Sequence, residues 1–180
     1  MKRLISSILG AGTIAASSFI ALAGDDEHRE HAMKPAPTNA SFELIKSLAG
    51  EWTAVDEAGK KTDERSEFRV TAGGSAVMEI LFKGQPHEMV TMYYLEGEDI
   101  VLTHYCVLHN QPTMRLQRDG SAGVLAFEFD GGSNIDLRKD DHMHSAVFTI
   151  ADKDHFSADW TMYHAGEADH TKSFQFVRTK

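Results

Sequence analysis

The chain has 180 residues, is 42% hydrophobic and carries a formal charge of −9, enough for one globular domain with short appendages. That acidity argues against a nucleic-acid binder, which needs clustered Lys and Arg, and equally against anchoring to an anionic membrane surface. With Cys106 as the single cysteine, no intramolecular disulfide can form.

The first residues read as an export signal. Met1-Lys2-Arg3 is a basic start, Leu4 to Ile20 is uncharged and apolar, and Ala21-Leu22-Ala23 supplies small residues before a cut at Gly24. Removal of residues 1–23 leaves 157 residues and takes the charge from −9 to −11, because Lys2 and Arg3 go with it. The acidic Asp25-Asp26-Glu27 that follows is unlike a stop-transfer flank. The expectation is a periplasmic or secreted protein with no stable membrane anchor. Residues 24–40 mix Asp, Glu, His, Lys and Pro without apolar period, as a flexible linker does. His28 and His31 fall in this tail and read as solvated.

The domain is expected over residues 41–180. Ser41 is positioned to cap a short helix carrying Phe42, Leu44, Ile45 and Leu48 and ending at Gly50. Beyond it the period is two. Strands are predicted at 51–56, 64–71, 75–83, 87–95, 99–109, 113–118, 123–130, 141–151, 155–164 and 171–178, with Gly, Asn or Asp between them. Short strands at this spacing predict an all-β fold, a single antiparallel barrel of about eight to ten strands with a short N-terminal helix.

Alternation assigns the faces. Ile100, Leu102, His104 and Cys106 point inward on one strand, His142, His144, Ala146 and Phe148 on another, and Phe156, Ala158, Trp160, Met162 and His164 on a third. Met78 is placed with this inward set. Glu128 and Asp130 alternate with Phe127 and Phe129 and point outward; no carboxylate pair falls clearly on an inward face. A two-residue Gly97-Glu98 loop pairs His104 with Thr91, Leu102 with Tyr93 and Cys106 with Met89. A three-residue loop at Asp152-Lys153-Asp154 pairs His142 with His164 and His144 with Met162.

The short helix, Leu48-Ala49-Gly50-Glu51-Trp52 and the run of antiparallel strands ending at Arg178 resemble lipocalin-like (calycin) barrels. They are most similar to small exported bacterial lipocalin-like domains of unknown function. His104-Tyr105-Cys106 leading to Asn110-Gln111-Pro112, and Asp154-His155-Phe156 before a Trp-bearing strand, add to the likeness. The resemblance implies a ligand-holding barrel in which Trp52 of the Gly-x-Trp packs under the terminal Arg178.

Ten histidines are many for this length. His142 and His144 share a strand face about 7 Å apart, and with His164 they form an alternative metal set for zinc, iron or haem. The reading placed first gives them no metal and no cofactor, only a place at the barrel mouth. Cys106 reads as a small buried apolar thiol rather than a nucleophile, and no Gly-x-Ser-x-Gly elbow is present. The expected function is therefore non-enzymatic: an exported barrel that binds a small, mainly apolar molecule. Its expected lining is Met78, Thr91, Tyr93, His104, Cys106, His144, Phe148, Trp160 and Met162.

Overall fold

A computed structural model describes residues 35–36, 38–118 and 121–179. The predicted export signal and most of the predicted linker lie outside the described residues. Helix α1 spans Ala40–Ser47, and ten strands follow: β1 Gly50–Val55, β2 Lys61–Thr71, β3 Ala76–Leu81, β4 Met89–Glu96, β5 Asp99–Tyr105, β6 Gln111–Leu116, β7 Val124–Ser133, β8 His142–Ile150, β9 His155–His164 and β10 Glu167–Arg178. Each strand pairs antiparallel with its sequence neighbour, and β1 pairs with β10, which closes the barrel. Closure leaves no edge strand exposed. The all-β expectation and the upper strand count both hold. No described helix is long and apolar enough to cross a membrane.

The helix is capped by Asn39 rather than by Ser41. The Asn39 Oδ1 accepts from the amides of Ser41 and Phe42, and its Nδ2 donates to the Glu98 carbonyl in the β4–β5 turn. An Asn with extended backbone at this position satisfies orphan helix donors as well as Ser does. Phe42, Ile45 and Leu48 are buried, so α1 covers the barrel end where the β4–β5, β6–β7 and β8–β9 hairpins turn. The other end, ringed by the β3–β4, β5–β6, β7–β8 and β9–β10 connections, has no such cover among the described residues.

Arg178 locks the covered end. Its guanidinium stacks over Trp52 at 4.1 Å and donates to the carbonyls of Ser47, Ala49 and Lys153. Trp52, fully buried, donates its indole N–H to the Leu48 carbonyl at 2.7 Å. Gly50 is required there: its φ is +133°, and a Cβ would lie 2.8 Å from the arginine Nη1. The Gly-x-Trp and the terminal Arg therefore meet as the resemblance implied.

The interior is dense with rings. Trp52 meets Phe156 edge-on at 4.7 Å, Phe68 stacks near Tyr93 at 6.3 Å, and Phe148 contacts Phe127, Tyr93 and Trp160. Offset and edge-to-face pairs of this kind add stabilisation beyond area burial. The void under the helix, between Ile45, Leu48 and Phe68, has no room for a water molecule.

Both predicted hairpin registers can be checked pair by pair. In β4–β5, Thr91 faces His104 and Tyr93 faces Leu102, as expected, and the ladder stops at Val90–Tyr105, one residue short of Met89–Cys106. In β8–β9, Ile150–Phe156 through Ser145–Thr161 follow the expected register. A bulge at His144 then shifts it by one, so His142 faces Tyr163 and Met143 faces Met162. One extra residue in one strand reverses the alternation beyond it.

Candidate functional site

Toward the uncovered end the barrel interior carries a row of polar groups. Phe68, Glu79, Thr91 and His104 are successive cross-strand partners on β2, β3, β4 and β5. Directly opposite residues share a face, and all four are buried. Ser66, two residues before Phe68, joins them. Glu79 Oε2 accepts from the Tyr93 hydroxyl at 2.6 Å and Oε1 from the Ser66 hydroxyl at 2.9 Å. Burial pushes the Glu79 carboxyl up to about 7, against the lowering effect of these two donors. The same burial, with Glu79 beside it, raises the Tyr93 phenol well above its ordinary value.

His104 sits at the far end of the row. Its Nδ1 lies 2.9 Å from Thr91 Oγ1, and its ring is 4.9 Å from that of Trp160. Desolvation pulls its imidazole down to about 4, so it is neutral at neutral pH. Among the described residues three buried side-chain atoms have no hydrogen-bond partner: Glu67 Oε2, Asn110 Oδ1 and His104 Nε2. Glu67 Oε2 lies against the Lys83 ammonium. Asn110 stands in the β5–β6 turn with its Nδ2 on the Asp141 carbonyl. The His104 Nε2 is the interior one. An unmet polar atom in so dry a place costs about 1–3 kcal/mol.

Next to this row is a small pocket lined by Ser66, Glu79, Leu81, Phe82, Trp160 and Phe174, among others. It has about 10 Å³ of free space, roughly one water. Phe82 flanks it from the β3–β4 connection, 5.6 Å from Phe174 and 4.6 Å from His87. Its φ of +54° is costly for a bulky side chain. Phe82 is thus held by packing on the rim rather than by backbone preference.

The predicted lining divides three ways. Thr91, Tyr93, His104, Phe148 and Trp160 are interior and buried. Cys106 and Met162 are half-buried toward the uncovered end; burial raises the Cys106 thiol, which leaves it protonated and a poor nucleophile. Met78 and His144 are corrections. Met78 pairs with Met92 and Arg69 on the outer face, because Val77, Glu79 and Leu81 are the residues buried on β3. Alternation in this strand favours both faces almost equally, and Glu79 takes the inner one because Tyr93 and Ser66 are there to satisfy it. His144 is lifted out of alternation by the bulge and stacks on Tyr163 at 3.7 Å and on Phe129 at 5.0 Å.

Of the alternative metal residues, His142 and His144 meet, and His164 turns to Asp141. His142 Nε2 and His144 Nδ1 hydrogen-bond to each other at 3.0 Å, so one lone pair is spent between them. His164 is exposed and lies 2.5 Å from Asp141, which holds its imidazole above the ordinary range. His144 is shifted down instead, by burial and by His142. Among the described residues no group of three His, Cys, Asp or Glu side chains could hold a metal ion.

Among the described residues, two of the wider grooves are of similar volume. One, about 510 Å³, runs between α1, the β4–β5 turn and the β6–β7 hairpin, with Leu44, Ile100 and Leu125 among its apolar residues. The other, about 520 Å³, lies on the uncovered end beside Asn110, Asp141 and His164. Sequence reasoning missed Glu79. The predicted pairing already put Thr91 and Tyr93 inside, and joining β3 to β4 with an even number sum would have placed Glu79 opposite Thr91.

No family model matches the chain, and no curated protein does. Among solved structures it is similar to Rv2717c from M. tuberculosis, known from a crystal structure, with a TM-score of 0.51 and 13% sequence identity. The match covers 80% of this chain and 100% of that one. At this identity the likeness is one of fold alone.

Proposed function

We propose that this protein is an exported, lipocalin-like binding barrel, without catalytic activity, that takes a small and mainly apolar molecule through its uncovered end. One observation carries the reading: the buried His104 Nε2 has no partner among the described residues, in a row whose other side-chain polar groups are satisfied. A ligand with one hydrogen-bonding group and an apolar body would meet that atom and lie against Trp160. Mostly apolar walls with a few placed polar groups are the usual composition of such sites.

The free space next to the row is about 10 Å³, so entry requires side chains to move. Phe82 is the natural one. It stands on the rim, half-buried, at a φ of +54°. Thr91, Tyr93, His104 and Trp160 then form the inner contacts, with Cys106 and Met162 nearer the mouth.

Native mass spectrometry of protein purified from its own host tests the reading. An organic adduct lost in His104→Leu supports it. A metal or haem mass, or a bare chain from every preparation, refutes it. The same spectrum gives the intact mass, which should correspond to a chain beginning at Gly24.

A further inference from the structure

We propose that the His104 site selects an uncharged, hydroxyl-bearing amphiphile and rejects the carboxylate of the same chain length, with Glu79 as the specificity-determining residue. This rests on the binding reading above and adds the ligand's head-group chemistry.

Neutral His104 offers either a donor or an acceptor at Nε2, according to which way the Thr91 hydroxyl points. A hydroxyl both donates and accepts, so it satisfies either tautomer. A carboxylate satisfies one tautomer only and brings a charge. Among the described residues no Lys or Arg side chain bonds to Glu79 or His104 to pair with that charge. The groups facing Glu79 are Ser66 and Phe68 from β2, Thr91 and Tyr93 from β4, His104 from β5, and Ala158 and Trp160 from β9. Of these only Tyr93 and His104 titrate, and neither is charged at neutral pH. Arg65 also lines the small pocket beside Glu79, but it pairs with Thr53, on the opposite face from Trp52–Ser66, and its Nη1 is engaged by the Thr62 and Glu64 carbonyls.

Glu79 therefore meets an incoming anion alone. It lies two strands from His104, on the order of 10 Å at the usual strand spacing. Above the carboxyl's raised range it is ionised, and two like charges at that distance in a partly buried site disfavour the second by roughly tenfold.

The probes are 1-octanol and octanoate, titrated at pH 8 into the full chain and followed by the two tryptophan indole signals in ¹⁵N NMR; the chain has two Trp, so Trp160 is identified by a single Trp160→Phe variant. Octanol should move the Trp160 signal and bind roughly tenfold tighter than octanoate. In Glu79→Gln, which keeps an acceptor for Tyr93 and a donor for Ser66, octanoate should gain that factor and octanol should not. Should the variant fold poorly, wild type at pH 6 serves instead. Glu79 is then mostly protonated while octanoate is still ionised, and octanoate affinity should rise with octanol unchanged. Equal affinities at pH 8 would overturn the selection while leaving the binding reading intact. Silence of the Trp160 signal toward both probes would overturn both.

Discussion

Glu79→Gln also has a stability consequence that needs no ligand. The folded-state carboxyl titrates at about 7 and the unfolded one at 4.5. Between those values the folded protein binds more protons than the unfolded chain, so stability falls as pH rises through the window and levels off above it. The full span of the shift is about 3 kcal/mol at 1.36 kcal/mol per unit. Between pH 5 and pH 8 the wild type should lose about 2.5 kcal/mol through this group, because at pH 5 part of the loss has already occurred. Gln does not titrate and keeps the contacts to Tyr93 and Ser66 in neutral form.

The wild-type curve alone would hide this. His104 works in the opposite direction: its folded value is about 4 against 6.5 unfolded, so its contribution is lost as pH falls through that interval. From about pH 4.5 to 6.5 the two slopes nearly cancel. Subtracting the two proteins removes His104, which both contain. Urea unfolding of wild type and Glu79→Gln at pH 5 and pH 8 provides the subtraction. The stability difference between the two proteins should move in favour of Gln by about 2.5 kcal/mol on going from pH 5 to pH 8. A change below about 0.5 kcal/mol, smaller than a single ordinary hydrogen bond, would mean that Glu79 is hydrated in solution and that the polar row is not dry.

Trp52→Ala and Phe176→Ala should each cost about 3–5 kcal/mol, since the two rings are 0% and 6% exposed; chemical denaturation with near-wild-type midpoints would contradict the packing. Gly50→Ala should destabilise by at least about 1 kcal/mol, because its φ is +133° and the added methyl meets Arg178. Replacing Arg178 by Ala as well should relieve part of that cost, measured as a double-mutant cycle. Added zinc should leave the Tm where it was, since His142 and His144 bond to each other and His164 to Asp141; stoichiometric binding abolished by His144→Ala would reverse that conclusion.

The sequence is informative about this fold where local rules act alone. The turns at Gly97-Glu98 and Asp152-Lys153-Asp154 set two registers, and those hold through Thr91–His104 and through Ser145–Thr161. Legibility ends at His144, where an inserted residue resets the face without any Gly or Pro to mark it. That single residue puts Tyr163 rather than His164 opposite His142, while His142 and His144 still meet. On β3 the difficulty is different. Ala76, Met78 and Ile80 are no less apolar than Val77 and Leu81, so period alone does not choose a face, and a glutamate argues against the one that is actually buried. What settles the matter is nonlocal. Tyr93 from β4 and Ser66 from β2 arrive with donors for both carboxylate oxygens, and a buried acid with both oxygens satisfied is tolerable where a bare one is not.

That nonlocal choice also locates the site. A barrel of this size could be filled by Leu, Val and Phe throughout, and around Trp52, Phe127 and Phe156 it is. The exception is one row, running from Ser66 past Glu79 and Thr91 to His104, in which every polar atom but one is engaged within the chain. Such a row adds little net stability over an apolar core, because desolvation offsets much of what its hydrogen bonds contribute. Packing therefore does not account for it, and under the proposed function the remaining free atom, His104 Nε2, is the one that a partner from outside the chain would meet, admitted past Phe82 and chosen by the charge state of Glu79.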